Sequence, residues 1–148
     1  MSQGGKVERT AEARWEGELK SGKGNVKLGS GAFEGPYSFS TRFESTPGTN
    51  PEELIGAGLA ACYSMALAAT LGKTGHAARQ VESKATVHLE KVGEGFSVTR
   101  IDLKTRGQVP GLSEDEFKKV AEQTGKTCII ARALGAVPIS VSAALSSD

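Results

Sequence analysis

What this chain lacks closes several ways of building a small protein. It has two cysteines and two histidines in 148 residues. Two thiols without a secretory segment do not make a disulfide framework. Cys62, His76, His88 and Cys128 show none of the close pairing typical of zinc ligands, so no metal site is expected. Neither sign of charge is in excess. The net charge is +1, with acids and bases interleaved, which leaves no footprint for nucleic acid or an anionic membrane surface. The opening MSQGGKVERTAEARW has no apolar run, so no signal peptide is expected and the cytoplasm is the expected compartment. A phosphate loop is missing too. Gly72-Lys73-Thr74 and Gly125-Lys126-Thr127 resemble its end, but the glycine required five residues earlier is Leu67 in one and Val120 in the other. Gly72-Lys73-Thr74-Gly75 mimics a KH-domain loop, and one tetrapeptide in a nearly neutral chain carries no RNA-binding reading.

What is present is an ordinary folded composition, 38% hydrophobic and 24% charged, long enough for one domain over residues 1–148. One apolar run stands out, LIGAGLAACYSMALAATLG over residues 54–72. Its length approaches the roughly 20 residues that cross a bilayer. It is rich in Ala, Gly, Ser and Thr and flanked by strand patterns, so the expectation is a helix buried on all sides within a protein.

Strand signals precede that run. Ala11, Ala13, Trp15, Gly17 and Leu19 alternate with charged residues, which predicts a half-buried strand. Residues 21–25 read as a turn and Val26 begins a return strand. A third strand is expected with Tyr37, Phe39 and Phe43 on one face and Ser38, Ser40 and Arg42 on the other. The helix has Asn50 as a plausible N-cap, Pro51 at its first position and Glu53 placed to complete a capping box. Gly56, Ala60, Ser64 and Ala68 form a stripe open to close approach by another backbone.

Beyond the helix, apolar residues from Val81 to Leu89 alternate with polar ones, and a turn at 93–95 leads into another strand. The apolar phase slips between Val98 and Ile101, which predicts a bulge. Ser113 and Glu116 form a capping box for a helix over 114–125, a short helical piece follows Cys128, and Val137, Ile139, Val141 and Ala143 alternate in a last strand. The order is β-β-β-α-β-β-α-β, an α+β fold with antiparallel sheets around buried central helices.

Taken singly, the candidate functional residues have bland readings. A buried cysteine is usually a small core hydrophobe. Arg42 reads as a strand residue, and Glu52 suits the first turn of a helix electrostatically. In combination they resemble a family. Thr49-Asn50-Pro51-Glu52-Glu53-Leu54-Ile55-Gly56-Ala57 followed by Ala60-Ala61-Cys62-Tyr63-Ser64-Met65-Ala66-Leu67 is similar to the central helix of OsmC/Ohr proteins. Arg14-Trp15-Glu16-Gly17, Thr41-Arg42-Phe43-Glu44, Val109-Pro110-Gly111 and the placement of Cys128 resemble the OsmC branch.

The resemblance implies a cofactor-free thiol peroxidase acting on organic hydroperoxides and, less efficiently, on hydrogen peroxide. Cys62 matches the peroxidatic cysteine, Cys128 the resolving one, Arg42 the branch's arginine and Glu52 the glutamate that holds it. The resulting disulfide would be reduced by an external dithiol, for which a lipoylated protein is the family's candidate. Phe39, Phe43, Tyr63 and Met65 are the expected apolar lining for a bulky peroxide. Glu52 and Cys62 lie ten residues apart, about 15 Å along one helix. A glutamate that far from the thiol serves it best from a second subunit, so an intertwined homodimer is expected. The alternative is a non-enzymatic dimer binding an apolar ligand in the same groove. One departure is visible: Ile129-Ile130-Ala131 follows Cys128 where the family often has Pro-Val-Ser.

Overall fold

The computed structural model describes residues 5–146; residues 1–4 and 147–148 of the domain expected over 1–148 lie outside them. The chain divides into two compact units, one ending at Pro51 and the other beginning at Glu52.

The first unit is a three-stranded antiparallel meander, β1 (Ala11–Glu16), β2 (Lys23–Leu28) and β3 (Glu34–Tyr37), in the order β1-β2-β3. Gly24 opposes Trp15 on one side and Tyr37 on the other. A Cβ there would lie 2.7 Å from the Trp15 ring and 2.6 Å from the Tyr37 ring, so the missing side chain makes room for both aromatics. The half-buried first strand is not observed. Both faces of β1 are exposed apart from Trp15, and Leu19 lies beyond the strand and is exposed.

The third strand also ends earlier than its pattern predicts. Ser38 caps a short helix, α1 (Phe39–Phe43), accepting from the Thr41 amide while Thr41 Oγ1 accepts from the Ser38 amide. The Phe39 and Phe43 rings meet at a tilt of 48° with centroids 5.0 Å apart. A spacing of four puts two residues on one face of either a strand or a helix, so the aromatics did not discriminate; the cap did. Arg42 therefore lies on a helix.

The second unit contains α2 (Pro51–Lys73), β4 (Gln80–Val92), β5 (Gly95–Gln108), α3 (Glu114–Thr127), α4 (Ile129–Ala133) and β6 (Ile139–Leu145). Its sheet has the order β4-β5-β6. β4 and β5 form a long hairpin whose register jumps from His88↔Arg100 to Leu89↔Val98, leaving Thr99 as the extra residue. That is the bulge predicted between Val98 and Ile101. β5 and β6 pair in parallel rather than antiparallel, because α3 and α4 carry the chain back across the sheet.

All buried apolar side chains among the described residues belong to this unit. Leu59, Tyr63, Leu67 and Leu71 from α2 meet Ile101 and Leu103 from β5, and Phe117 and Ala121 from α3. The Tyr63 hydroxyl donates to the Ala121 carbonyl at 2.9 Å, tying α2 to α3. Gly107 allows Phe117 to lie against β5, and Gly125 allows Val141 against α3.

α2 is long and apolar enough to cross a membrane by length and composition. It buries one face, Gly56, Leu59, Tyr63, Leu67 and Leu71, instead of all sides. The small-residue stripe is used partly within the chain. A Cβ on Gly56 would lie 3.3 Å from Val87 Cγ2, and Ser64 Oγ donates to Ser83 Oγ at 2.8 Å. Ala57, Gly58, Ala61, Met65, Ala68 and Ala69 remain exposed along the other side.

Candidate active site

Two local features place the thiols. Cys62 lies in the middle of α2, one residue before the buried Tyr63. Cys128 ends α3 and starts α4, in extended conformation at φ −64° and ψ 152°. Its backbone joins both helices: its amide donates to Thr124 O, and its carbonyl accepts from the Arg132 amide. This junction turns the first turn of α4 toward α2, where the Ile130 amide donates to Cys62 Sγ at 3.5 Å. Both cysteines are reduced.

The two sulfurs differ in environment. Cys128 is 3% exposed, whereas Cys62 is half-buried. Burial pushes the Cys128 thiol above its ordinary pKa. The backbone amides of Ala131 and Ile130 oppose that shift, and the neighbouring Cys62 adds to it through its charge and side-chain hydrogen bond. The thiols thus adjoin each other although 66 positions separate them in the sequence (128 − 62). Burial also raises the Tyr63 pKa, with Cys128 a smaller contribution, so its phenol remains a proton donor to Ala121 O.

The other predicted residues fall in different places. Glu52 is buried in the first turn of α2, ten residues before Cys62 on the same unbroken helix. A buried carboxylate requires hydrogen bonds or a cation. Arg42 is exposed in the last turn of α1, its guanidinium 5.1 Å from the Phe43 ring centroid. Phe39 and Phe43 are half-buried in the first unit, and Met65 is 75% exposed on α2. Tyr63 is wholly enclosed in the core with its hydroxyl occupied, so it packs behind the thiols and presents no open wall.

Sequence reasoning passed over one contact at the thiols and one network away from them. The Ile130 amide lies in the segment where the family pattern changes, and an amide donor leaves no signature in side-chain identity. His88, read as a solvated strand residue, instead places Nε2 2.8 Å from Asp102 Oδ2 on the sheet's outer face. Asp102 also accepts from Ser140 Oγ at 2.6 Å and Arg100 Nε at 3.3 Å.

The family model described as OsmC-like protein matches residues 43–142. Peroxiredoxin OsmC of Escherichia coli K12 is 43% identical over 131 residues, covering 88% of this chain and 92% of that protein. Among solved structures, an organic hydroperoxide resistance protein from Elizabethkingia anophelis has a TM-score of 0.72 at 21% identity, covering 95% of this chain and 99% of that one. The organic hydroperoxide resistance protein OhrB of Bacillus subtilis has a TM-score of 0.65 at 21% identity, with coverage of 93% and 98%. These likenesses establish the α+β fold, and the match in sequence across most of its length makes this chain a member of the OsmC family.

Proposed function

We propose that this peroxidase reduces organic hydroperoxides through Cys62 and Cys128, with hydrogen peroxide a poorer substrate. The observation that carries the reading is the unequal pair of adjacent thiols, one half-buried and one enclosed. A peroxide reaches Cys62 before Cys128. Cys62 thiolate attacks the terminal peroxide oxygen, the O–O bond breaks, and the alkoxide takes a proton to leave as the alcohol. Cys62 is left as a sulfenic acid.

Oxidation also removes the thiolate charge beside Cys128, one cause of that thiol's raised pKa. Cys128 then attacks the Cys62 sulfur, water leaves, and a disulfide forms. An external dithiol, with a lipoylated protein as the candidate, supplies two electrons and two protons to restore both thiols.

Ionisation alone is not enough for this chemistry. A cysteine with an ordinary pKa of about 8.5 is roughly 3% thiolate at pH 7, so complete ionisation gains only about thirtyfold. The remainder comes from orienting the peroxide and stabilising the departing oxygen. Arg42 supplies a fixed fork of donors, and the buried Glu52 would hold that fork through a bidentate pair. Phe39, Phe43 and Met65 provide apolar surface for the organic group.

The two units act as one OsmC-like domain, and the working form is an intertwined cytoplasmic homodimer. Three observations support this assembly. About 15 Å of α2 separates Glu52 from Cys62, α2 leaves an apolar face exposed, and the first unit contributes no apolar side chain to the core among the described residues. Arg42 and Glu52 of one subunit then serve Cys62 of the other. With its exposed face covered by a second copy, α2 needs no membrane.

The direct test is non-reducing mass spectrometry with peptide mapping after one equivalent of cumene hydroperoxide. A rapid Cys62–Cys128 disulfide is expected. Two intact thiols would reject the cycle and favour an apolar-ligand-binding module. Sedimentation tests the assembly separately, and a monomer at micromolar concentration would reject shared sites.

A further inference from the structure

The outer face of the β4-β5-β6 sheet holds an open groove of roughly 310 Å³ with charged side chains along it. Neither cysteine lines it. Lys84, Lys104 and Arg106 line it with Glu82 and Ser142. In the antiparallel register Lys84 faces Lys104 directly, and Glu82 faces Arg106. Ser142 stands beside Lys104 across the parallel β5–β6 pair. These residues alternate with the inward-facing set and are all exposed.

Like charges directly opposed across an antiparallel pair are destabilising, and Lys84 and Lys104 are such a pair. The carboxylate in the groove, Glu82, faces Arg106 and neither lysine directly. Among the described residues, Lys84, Lys104, Arg106 and Glu82 form no salt bridge, and the Ser142 hydroxyl forms no hydrogen bond. Asp102, the next carboxylate along β5, is already engaged by Ser140, His88 and Arg100. The groove therefore carries three cations against one carboxylate in a chain whose total charge is only +1. Local excess of this kind attracts an anion of matching charge. A guanidinium, two ammonium groups and a free hydroxyl are donors suited to phosphate oxygens.

We propose that this groove is a binding site for a phosphate-bearing ligand of charge −2 or greater, with Lys84, Lys104 and Arg106 as the cationic contacts and Ser142 as a hydroxyl donor. The bound phosphate sits between the opposed lysines and converts their repulsion into shared attraction. The site lies outside the proposed peroxidase chemistry and stands whether or not that cycle is correct.

Pyrophosphate titrated into the reduced full-length protein, followed by amide chemical shifts, tests the assignment. Sodium chloride at matched ionic strength is the control. Saturable shifts confined to β4, β5 and β6 around Lys84, Lys104, Arg106 and Ser142 are expected, with binding about tenfold weaker in Lys104→Gln. Without pyrophosphate, Lys104→Gln should melt at a higher temperature than wild type in low salt, since it removes the repulsion. Its rate of peroxide reduction should match wild type. Shifts reproduced by chloride, lack of saturation, or unchanged affinity in Lys104→Gln would overturn the proposal.

Discussion

The two units of this chain solve the problem of burial differently. From Glu52 onward, one side of α2, the inward face of a three-stranded sheet and α3 enclose Tyr63, Phe117 and a set of leucines. Up to Pro51, three short strands and a five-residue helix enclose no apolar side chain among the described residues. Their buried positions are Gly35 and Thr49. An isolated meander of this kind is marginal in water, since stability requires a hydrophobic face packed against something. The second unit can account for its own fold. The first needs a surface beyond its own strands.

Large-to-small substitutions should show the contrast most strongly. Phe117→Ala removes a fully buried ring that lies against Gly107, and should cost about 3–5 kcal/mol by urea denaturation. Val26→Ala at the middle of the meander should cost less than about 1.5 kcal/mol in a dissociated chain, because that valine is only partly buried. Similar losses at the two positions would show that the first unit has a core of its own and break the comparison.

A charge on the exposed side of α2 asks whether a second copy supplies the missing cover. Ala68 is exposed in the single chain, where a charged substitution would ordinarily change stability by less than about 0.5 kcal/mol. In the proposed dimer Ala68→Glu would bury an unpaired carboxylate, so sedimentation should shift from dimer to monomer. An unaltered dimer would remove this helix face from the interface.

Close packing inside the second unit predicts a smaller effect. Alanine is a better helix former than glycine by about 1 kcal/mol, so Gly125→Ala would stabilise an unconstrained α3. Here the added Cβ would lie 2.5 Å from Val141 Cγ2, and a β-branched side chain in a strand has little freedom to retreat. A net loss of about 1–2 kcal/mol is expected from thermal or urea denaturation. Gly58→Ala is the control, because a Cβ there meets nothing within 4 Å in the single chain.

Much of this organisation was legible in the sequence where a local signal had one meaning. Pro51 and the apolar run gave α2, and the slip of phase after Val98 gave the bulge at Thr99. Signals failed where two structures share them. The four-residue spacing of Phe39 and Phe43 suits both strand and helix, and alternation within β6 does not encode its direction relative to β5. The small stripe on α2 marked close approach correctly at Gly56 and Ser64, but not whose backbone would approach. For the thiols, spacing could not bring Cys62 to Cys128; the resemblance implied their pairing, and the α3–α4 junction supplies the geometry.

Acid offers the gentlest probe of the contrast, because it acts on a surface network in the second unit and leaves the apolar core uncharged. Asp102 joins β4 to β6 by accepting from Ser140 and bonding His88, with Arg100 alongside. The Ser140 hydrogen bond is the foremost cause that lowers its pKa from 3.8 to about 2, followed by His88. A carboxylate more acidic in the folded state than in the unfolded one stabilises the fold above the unfolded pKa, and that contribution disappears as pH falls through the folded pKa. Asp102→Asn should therefore be less stable than wild type above pH 5 in urea titrations. The difference should close between pH 3.8 and about 2, where wild-type Asp102 takes up its proton. The change is expected to be small because the group is exposed to solvent. A difference that stayed constant through this range would mean that the Ser140 and His88 contacts act by shape alone, without drawing on the carboxylate's charge.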